Sequence, residues 1–378
     1  MIYLDNAATT YPKPESVRRA VAAALSQYGA NPGRSGHDMS MAAAEEIYRC
    51  RTAAADFFHA PGPECVAFTL NCTHALNYVL KGLLKPGDHA VTSCLEHNAV
   101  ARPLYALSKE GVEVTEARVY PGDNDATVDA FRKALRPNTR LVVCTHASNV
   151  WGIRLPVERI TALSHEYRIP VAVDCAQSAG VLPVDLADGG VDYLCAAGHK
   201  GLYGPMGTGL LVTARGGGLK TLIEGGTGTN SAELEQPLSM PDRMESGTQN
   251  MPGIAGLRAG IEFVRSLGTE RIFHHEMTLV QYLYRRLAAL RNVVLYTPEP
   301  TERYFAPVLS FNVGDLPSEA VGRSLNERGI AVRTGLHCAP AAHRFYGTLE
   351  RGAVRVCPSA FTRRAEMDRL VQALAAIG

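Results

Sequence analysis

"RLVVCTHASNVWGIRLPVERITALSHEYRIPVAVDCAQSAG" (140–180) runs from one apolar stretch to another through a helical one. "RLVVCTHAS" (140–148) and "VAVD" (171–174) read as buried strands that end on polar residues. Residues 156–168 read as the helix between them. Strand, helix, strand in this order is the unit from which a parallel sheet is built.

The alternation extends to both sides. "PESVRRAVAAALSQYG" (14–29) repeats apolar residues at helical spacing and stops at Gly29. "CVAFTL" (65–70) reads as a strand, and "THALNYVLKGLL" (73–84) as a helix with Thr73 as N-cap. A strand near 89–93, a helix near 97–110 and a strand near 112–119 follow. Thr127 is expected to cap a helix running to Leu135, and "DYLCAA" (192–197) is a further strand. The pattern implies an α/β fold with a mostly parallel sheet covered by helices. From about 253 the style changes. Helices at 253–267 and 270–290 precede a strand at 307–313 and a helix at 317–329. Short strands near 330–333 and 353–357 and a helix at 363–376 follow, as in a smaller α+β domain. The expected division is a large domain of 15–252 and a small one of 1–14 plus 253–378. The Gly-rich stretch 214–230 reads as a loop.

The 378 residues suffice for a core without staples, and 46% hydrophobic with 20% charged residues is ordinary globular composition. A formal charge of +1 gives no basic stripe for nucleic acid or an anionic membrane. The N-terminus lacks the basic and apolar regions of a signal peptide, and no apolar run spans a bilayer. Nine scattered cysteines point to a reducing, cytoplasmic compartment with free thiols. No CxxC pair or zinc spacing occurs, so no metal is expected.

In open α/β sheets, ligands bind beyond the carboxyl ends of the strands. Polar residues gather at five such ends: Cys72-Thr73, Glu96-His97, His146 to Asn149, Asp174 with Gln177, and "GHKG" (198–201). Any one alone is a cap or a turn. Together their types fit pyridoxal 5'-phosphate. Lys200 suits Schiff-base formation if burial lowers its pKa. Asp174 suits the pyridinium nitrogen. Thr73 and the amides of a helix N-terminus suit the phosphate. His97 is a packed core histidine or a ring that stacks on the cofactor, and Asn149 can donate to the phenolic oxygen.

The motifs "LDNAAT" (4–9), "EHNA" (96–99), "SNVWG" (148–152), "VDCAQSAG" (173–180), "GHKGLYGPMGTG" (198–209), "ESGTQN" (245–250) and "RTGLHCA" (333–339) span nearly the whole chain. In that order they resemble the cysteine desulfurases of the class V aminotransferase family. The last motif is similar to the SUF-type (group II), NifS-like enzymes. The resemblance implies the fold of type I pyridoxal-phosphate transferases, with a mostly parallel seven-stranded sheet sandwiched by helices and a smaller C-terminal domain carrying the cysteine loop. It assigns Lys200 to the Schiff base and Cys72, Thr73, His97, Asn149, Asp174, Gln177 and His199 to the cofactor. Thr248 would reach the phosphate of a partner subunit's cofactor, which implies a homodimer with shared sites. Asn6, Arg34, Asn149 and Arg355 would face the substrate, and His97 would share in catalysis with Lys200 and Cys338. The implied reaction converts L-cysteine to L-alanine, loads sulfur on Cys338 as a persulfide and passes it to an acceptor protein. A selenocysteine lyase or another pyridoxal-phosphate C–S lyase of the same fold is the alternative.

Some residues depart from the family pattern. Ala197 and Cys72 stand where hydroxyls are common, and Leu336 replaces a frequent histidine. The chain begins almost directly at "YLDNAAT", short of the SUF-type N-terminal extension. The other eight cysteines, Cys50, Cys65, Cys72, Cys94, Cys144, Cys175, Cys195 and Cys357, mostly lie in expected strands or helices, where burial is the default. Cys338 instead lies in a loop bounded by Gly335 and Pro340, beside Arg333, His337 and His343, neighbours of the kind that favour a thiolate.

Overall fold

The computed structural model describes residues 1–33, 36–215 and 218–377. A short strand, β1 (Ile2–Tyr3), comes first. The main sheet comprises β2 (Val66–Thr69), β3 (His89–Ser93), β4 (Glu113–Ala117), β5 (Thr139–Thr145), β6 (Val171–Asp174), β7 (Tyr193–Ala197) and β8 (Gly209–Thr213). Their order across the sheet is β2-β8-β7-β6-β5-β3-β4. The pairs from β4 to β7 are parallel, and β8 runs antiparallel to both β7 and β2. The α/β class with a mostly parallel seven-stranded sheet is as the sequence leads one to expect.

Strand periodicity explains the layers. Successive side chains point to opposite faces. Phe68, Val91, Val142, Cys144, Val171 and Val173 enter one core; Ala67, Ala90, Leu141, Val143 and Ala172 enter the other. Both faces are covered, so the strands are apolar at nearly every position. Helices Glu15–Ser26, Asp38–Phe57 and Met251–Leu267 supply residues to the first core, and Cys72–Leu83 and Asn98–Ser108 to the second.

A third core is built from Ile2, Leu4 and residues of 279–377. Its sheet holds β9 (Val293–Leu295), β10 (Leu309–Val313), β12 (Arg333–Gly335) and β13 (Ala353–Val356), ordered β12-β13-β10-β9. Strand β11 (Ile330–Ala331) pairs in parallel with β1, which fixes the N-terminus onto this core. Helices Thr269–Ala288, Ser318–Glu327 and Arg364–Ala375 pack around it.

Several local expectations give way. Asn71, not Thr73, caps the helix Cys72–Leu83, because its side chain accepts from His74 N at 2.9 Å. Asp123, not Thr127, caps Asn124–Ala134 by accepting from Ala126 N at 2.9 Å; Thr127 lies inside that helix. The helix Asp38–Phe57 falls in a stretch without a strong apolar stripe. Strand β8 begins on the last glycine of a glycine-rich motif, in a stretch to which the sequence pattern assigns no element.

Candidate active site

The strand ends converge. Asn71, Cys72, Thr73, His97, Thr145, Asn149, Asp174, Gln177, His199 and Lys200 line one cavity of about 480 Å³. Each parallel strand from β2 to β7, except the outermost β4, ends at this opening, so its loop delivers a side chain there.

Lys200 is placed by two glycines. Gly180, after β6, has φ +83°, and a Cβ there would lie 2.2 Å from Gly201 O. A Cβ on Gly201 would lie 2.4 Å from Ala179 O. The loops after β6 and β7 therefore meet backbone to backbone, which only glycine permits. Burial lowers the Lys200 pKa, opposed by Asp174 and assisted by Arg355. Asp174 is 3% exposed. Its Oδ1 accepts from Ala176 N at 2.8 Å and from the Cys72 thiol at 3.3 Å. Cys72 thus faces Asp174 and not the helix end where a hydroxyl was expected to serve, and burial pushes its thiol well up. His97 accepts from Ala99 N through Nδ1 at 3.0 Å; burial brings its pKa to about 4, so the ring is neutral at physiological pH. Gln177 is held by Ala7 O at 3.0 Å.

Pyridoxal phosphate is tested by these residues. An amine whose pKa is lowered by burial, a buried carboxylate, a neutral flat imidazole and a helix N-terminus share one cavity. Asn71 satisfies His74 N, and among the described residues no protein group accepts from Cys72 N or Thr73 N. His199 Nδ1 is also buried without a partner. The donor set fits the cofactor.

The carboxylate-binding face comes from the small sheet. Arg355 on β13 is 1% exposed and pairs directly with Arg333 on β12. Like charges opposite each other on neighbouring strands are unfavourable, so the pair is suited to an anion. Arg355 donates to Asp5 Oδ1 at 2.8 Å and to Asn149 O at 2.9 Å, while its buried Nε has no partner among the described residues. Asn6 is satisfied by backbone, donating to Cys357 O at 2.9 Å and accepting from Tyr11 N at 3.1 Å. It lines a neighbouring cavity, also beside Lys200. Arg34 lies outside the described residues.

Cys338 is exposed, whereas Cys94 is half-buried and Cys50, Cys65, Cys72, Cys144, Cys175, Cys195 and Cys357 are buried. It lines an outer groove that shares Thr73, His97 and Ala99 with the Lys200 cavity. Arg333 Nη2 reaches its sulfur at 3.8 Å. His337 and Cys338 both adopt left-handed backbone, at φ +51° and +56°. Asn149 Nδ2 holds His337 O at 2.7 Å and Asn98 N holds Cys338 O at 2.7 Å. His337 stacks on His343, whose Nδ1 meets Thr348 Oγ1 at 2.8 Å; both rings serve the turn's interior. Thr248 does not line the Lys200 cavity. It lines a separate groove with Thr69, His74 and Asn250. Asp5, inside the "LDNAAT" motif, holds Arg355, and Lys13, which holds the Lys200 peptide, carried no sequence signal beyond its own charge.

The aminotransferase class-V family pattern matches residues 2–370. A probable cysteine desulfurase from Methanothermobacter thermautotrophicus is 35% identical over 359 residues, covering 93% of this chain and 88% of the relative. The cysteine desulfurase of Yersinia pestis is 33% identical, covering 99% and 92%. The chain spans about half the length of a third relative, a probable cysteine desulfurase of Mycolicibacterium paratuberculosis, at 33% identity, 92% of this chain and 51% of that one. The solved cysteine desulfurase of Thermococcus onnurineus superposes with a TM-score of 0.91 at 30% identity, covering 100% and 94%. The family is one of pyridoxal-phosphate enzymes. The chain belongs to the aminotransferase class-V family and is an enzyme of the cysteine desulfurase kind.

Proposed function

We propose that the protein binds pyridoxal 5'-phosphate and converts L-cysteine to L-alanine, with the sulfur taken by Cys338 as a persulfide and passed to a protein acceptor. The observation that carries this is the junction of two sites. The buried Lys200 cavity and the groove of the exposed Cys338 meet along His97, Thr73 and Ala99.

Lys200, Asp174, His97, Asn149, Gln177, His199 and the amides at Thr73 hold the cofactor; when bound, it withdraws electrons from the substrate's carbons. Lys200 Nζ takes and returns a carbon-bound proton. Burial lowers its pKa, which favours the unprotonated amine that the task needs. Arg355 grips the substrate carboxylate with its free Nε and fixes the sulfur toward the groove. The Cys338 sulfur then bonds to the substrate sulfur as the carbon–sulfur bond breaks. That bond's electron pair stays on carbon, one thiol proton ends there, and no outside oxidant or reductant is needed.

A homodimer follows if Thr248, placed away from its own chain's cavity, serves the cavity of a second copy. Among the described residues no helix is long and apolar enough to cross a membrane.

The test is incubation of the pyridoxal-phosphate-loaded protein with L-cysteine. Alanine should form, and the Cys338 peptide should gain the mass of one sulfur atom. Cys338→Ala should stop alanine formation. Undiminished alanine from that variant, or pyruvate as the product, would sink the mechanism. Activity of Cys338→Ala on selenocysteine alone would move the assignment to a lyase.

A further inference from the structure

The N-terminal segment crosses between the two halves of the site. At one end Asp5 bonds Arg355, and Asp5 and Asn6 join the chain at Cys357. At the other end, four donors meet the peptide that precedes Lys200. Thr9 Oγ1 reaches His199 O at 3.0 Å, and Thr10 N and Oγ1 each reach it at 3.2 Å. Lys13 Nζ makes the shortest contact, 2.7 Å to His199 O, and also bonds Thr10 Oγ1 at 2.8 Å. Thr10 Oγ1 in turn lies 3.0 Å from Lys200 O.

Lys13 is a half-buried cation, and among the described residues no carboxylate pairs with it. An isolated ammonium costs free energy to bury. Among the described residues its partners are the Lys200 peptide and the hydroxyl that touches the same peptide. Prolines on both sides, Pro12 and Pro14, limit how far its backbone can relax.

We propose that Lys13 is a positioning residue: it clamps the His199–Lys200 peptide from the N-terminal segment, and so sets the reach of the Lys200 amine into the cavity. The proposal rests on Lys200 being the cofactor lysine. It links the carboxylate-binding end of the site to the lysine end through one short run of chain.

The clamp has a pH signature. Burial lowers the Lys13 pKa to about 8. Above that pH a charge-assisted bond becomes a neutral one, which is weaker. The fold does not lose stability in the same window. The folded state binds this proton less tightly than the unfolded chain, so stability rises as pH passes 8 toward the unfolded lysine value. The groups facing Lys13 are His199, whose pKa is lowered to about 4, and Lys200; Tyr3 bonds Thr9 O, and Glu276 lines the cavity beside Thr10. Of these, burial moves His199 and Tyr3 away from pH 8.

The test compares wild type, Lys13→Met, Lys13→Arg and Lys200→Ala in the full chain. Apo-protein is titrated with pyridoxal phosphate by absorbance. Lys13→Met should weaken cofactor affinity about tenfold, the loss expected of one charge-assisted hydrogen bond. Its kcat should fall more than its KM for L-cysteine rises. Lys13→Arg should restore most of both. The wild type should lose kcat as pH rises through about 8, and Lys13→Arg, which stays charged, should not. A Lys13→Met protein with wild-type affinity and kcat overturns the clamp, even if its melting temperature drops. Lys200→Ala separates the two claims: if it keeps the absorbance change on binding, the assignment of Lys200 fails first.

Discussion

Lys200 and Cys338 are held in opposite ways. The Lys200 loop leaves the middle of a seven-stranded sheet and is locked by backbone contact at Gly180 and Gly201. Cys338 sits on an exposed turn of the small sheet's domain, with two non-glycine residues in left-handed backbone. Left-handed conformations cost such residues about 1–2 kcal/mol each. The lysine site is built for precision. The cysteine turn stores strain that neighbours must hold in check, a trait of segments that must move. A sulfur carrier has to meet the substrate and then face outward, so the difference follows from the chemistry.

The largest effect should come from breaking the rigid side. Lys200→Ala removes the one amine in the cavity that can move the carbon-bound proton. Alanine formation should fall by at least about a thousandfold. Quantifying alanine against time, with the pyridoxal-phosphate-loaded variant, checks it. A fall of only a few-fold would leave the proton to another group.

The same side can be broken from beneath. Glu245 is buried, accepts from Phe68 N at 2.7 Å, and takes both ends of Arg51 at 2.7 and 2.8 Å. It thereby ties helix Asp38–Phe57 and β2 to the segment carrying Thr248. Arg51→Ala leaves that carboxylate buried and unpaired, at a cost of about 3–5 kcal/mol. Urea unfolding should show the midpoint lowered with the slope unchanged.

How much of this was legible in the sequence depends on the feature. The strand ends were legible because apolar runs such as "VAVD" stop abruptly on polar residues, and a parallel sheet aligns those stops. Lys200, Asp174 and Asn149 could be placed in one cavity on that basis. The helix caps were not legible. Asn71 and Thr73 are both good caps two residues apart, and only the path of the backbone decides which oxygen reaches His74 N. Strand β8 was hidden because glycines at 204, 207 and 209 leave only a short apolar run after them, although Gly209 is there because a Cβ would lie 2.6 Å from Asn71 C. The long helix Asp38–Phe57 is alanine-rich, so its buried face differs little in hydropathy from its exposed one. Lys13 was invisible because its shortest contact is to the carbonyl of His199, far along the chain.

The strained side should respond to acid through its own buried histidines. His337 and His343 are buried, and burial brings their pKa values to about 2 and about 4. In the unfolded chain a histidine titrates near 6.5. The folded values are depressed, so the neutral rings contribute stability that is whole above about 6.5 and lost as pH falls toward the folded values. Trp151 is the only tryptophan in the sequence, and its ring lies 5.6 Å from that of His343. Its fluorescence should change between pH 6.5 and 4, ahead of global unfolding. His343→Asn should flatten that change, and an unaltered acid transition in the variant would assign it to other groups.

The smallest effect tests the strain itself. Cys338 has φ +56°, and a glycine there adopts the same backbone without the steric cost. Glycine also gives the unfolded chain more freedom, which offsets part of the gain. The balance should be a stabilisation of about 0.5–1 kcal/mol in Cys338→Gly, read from urea unfolding. His337→Gly does not isolate strain, because it also removes the ring stacked on His343. If Cys338→Gly is instead less stable than the parent, the turn is not held against its backbone preference. The Arg333 contact at 3.8 Å, together with the hydrogen bonds from Asn98 and Asn149, would then account for its conformation. In that case both catalytic groups would stand on rigid supports, and the sulfur would have to leave by motion of the acceptor alone.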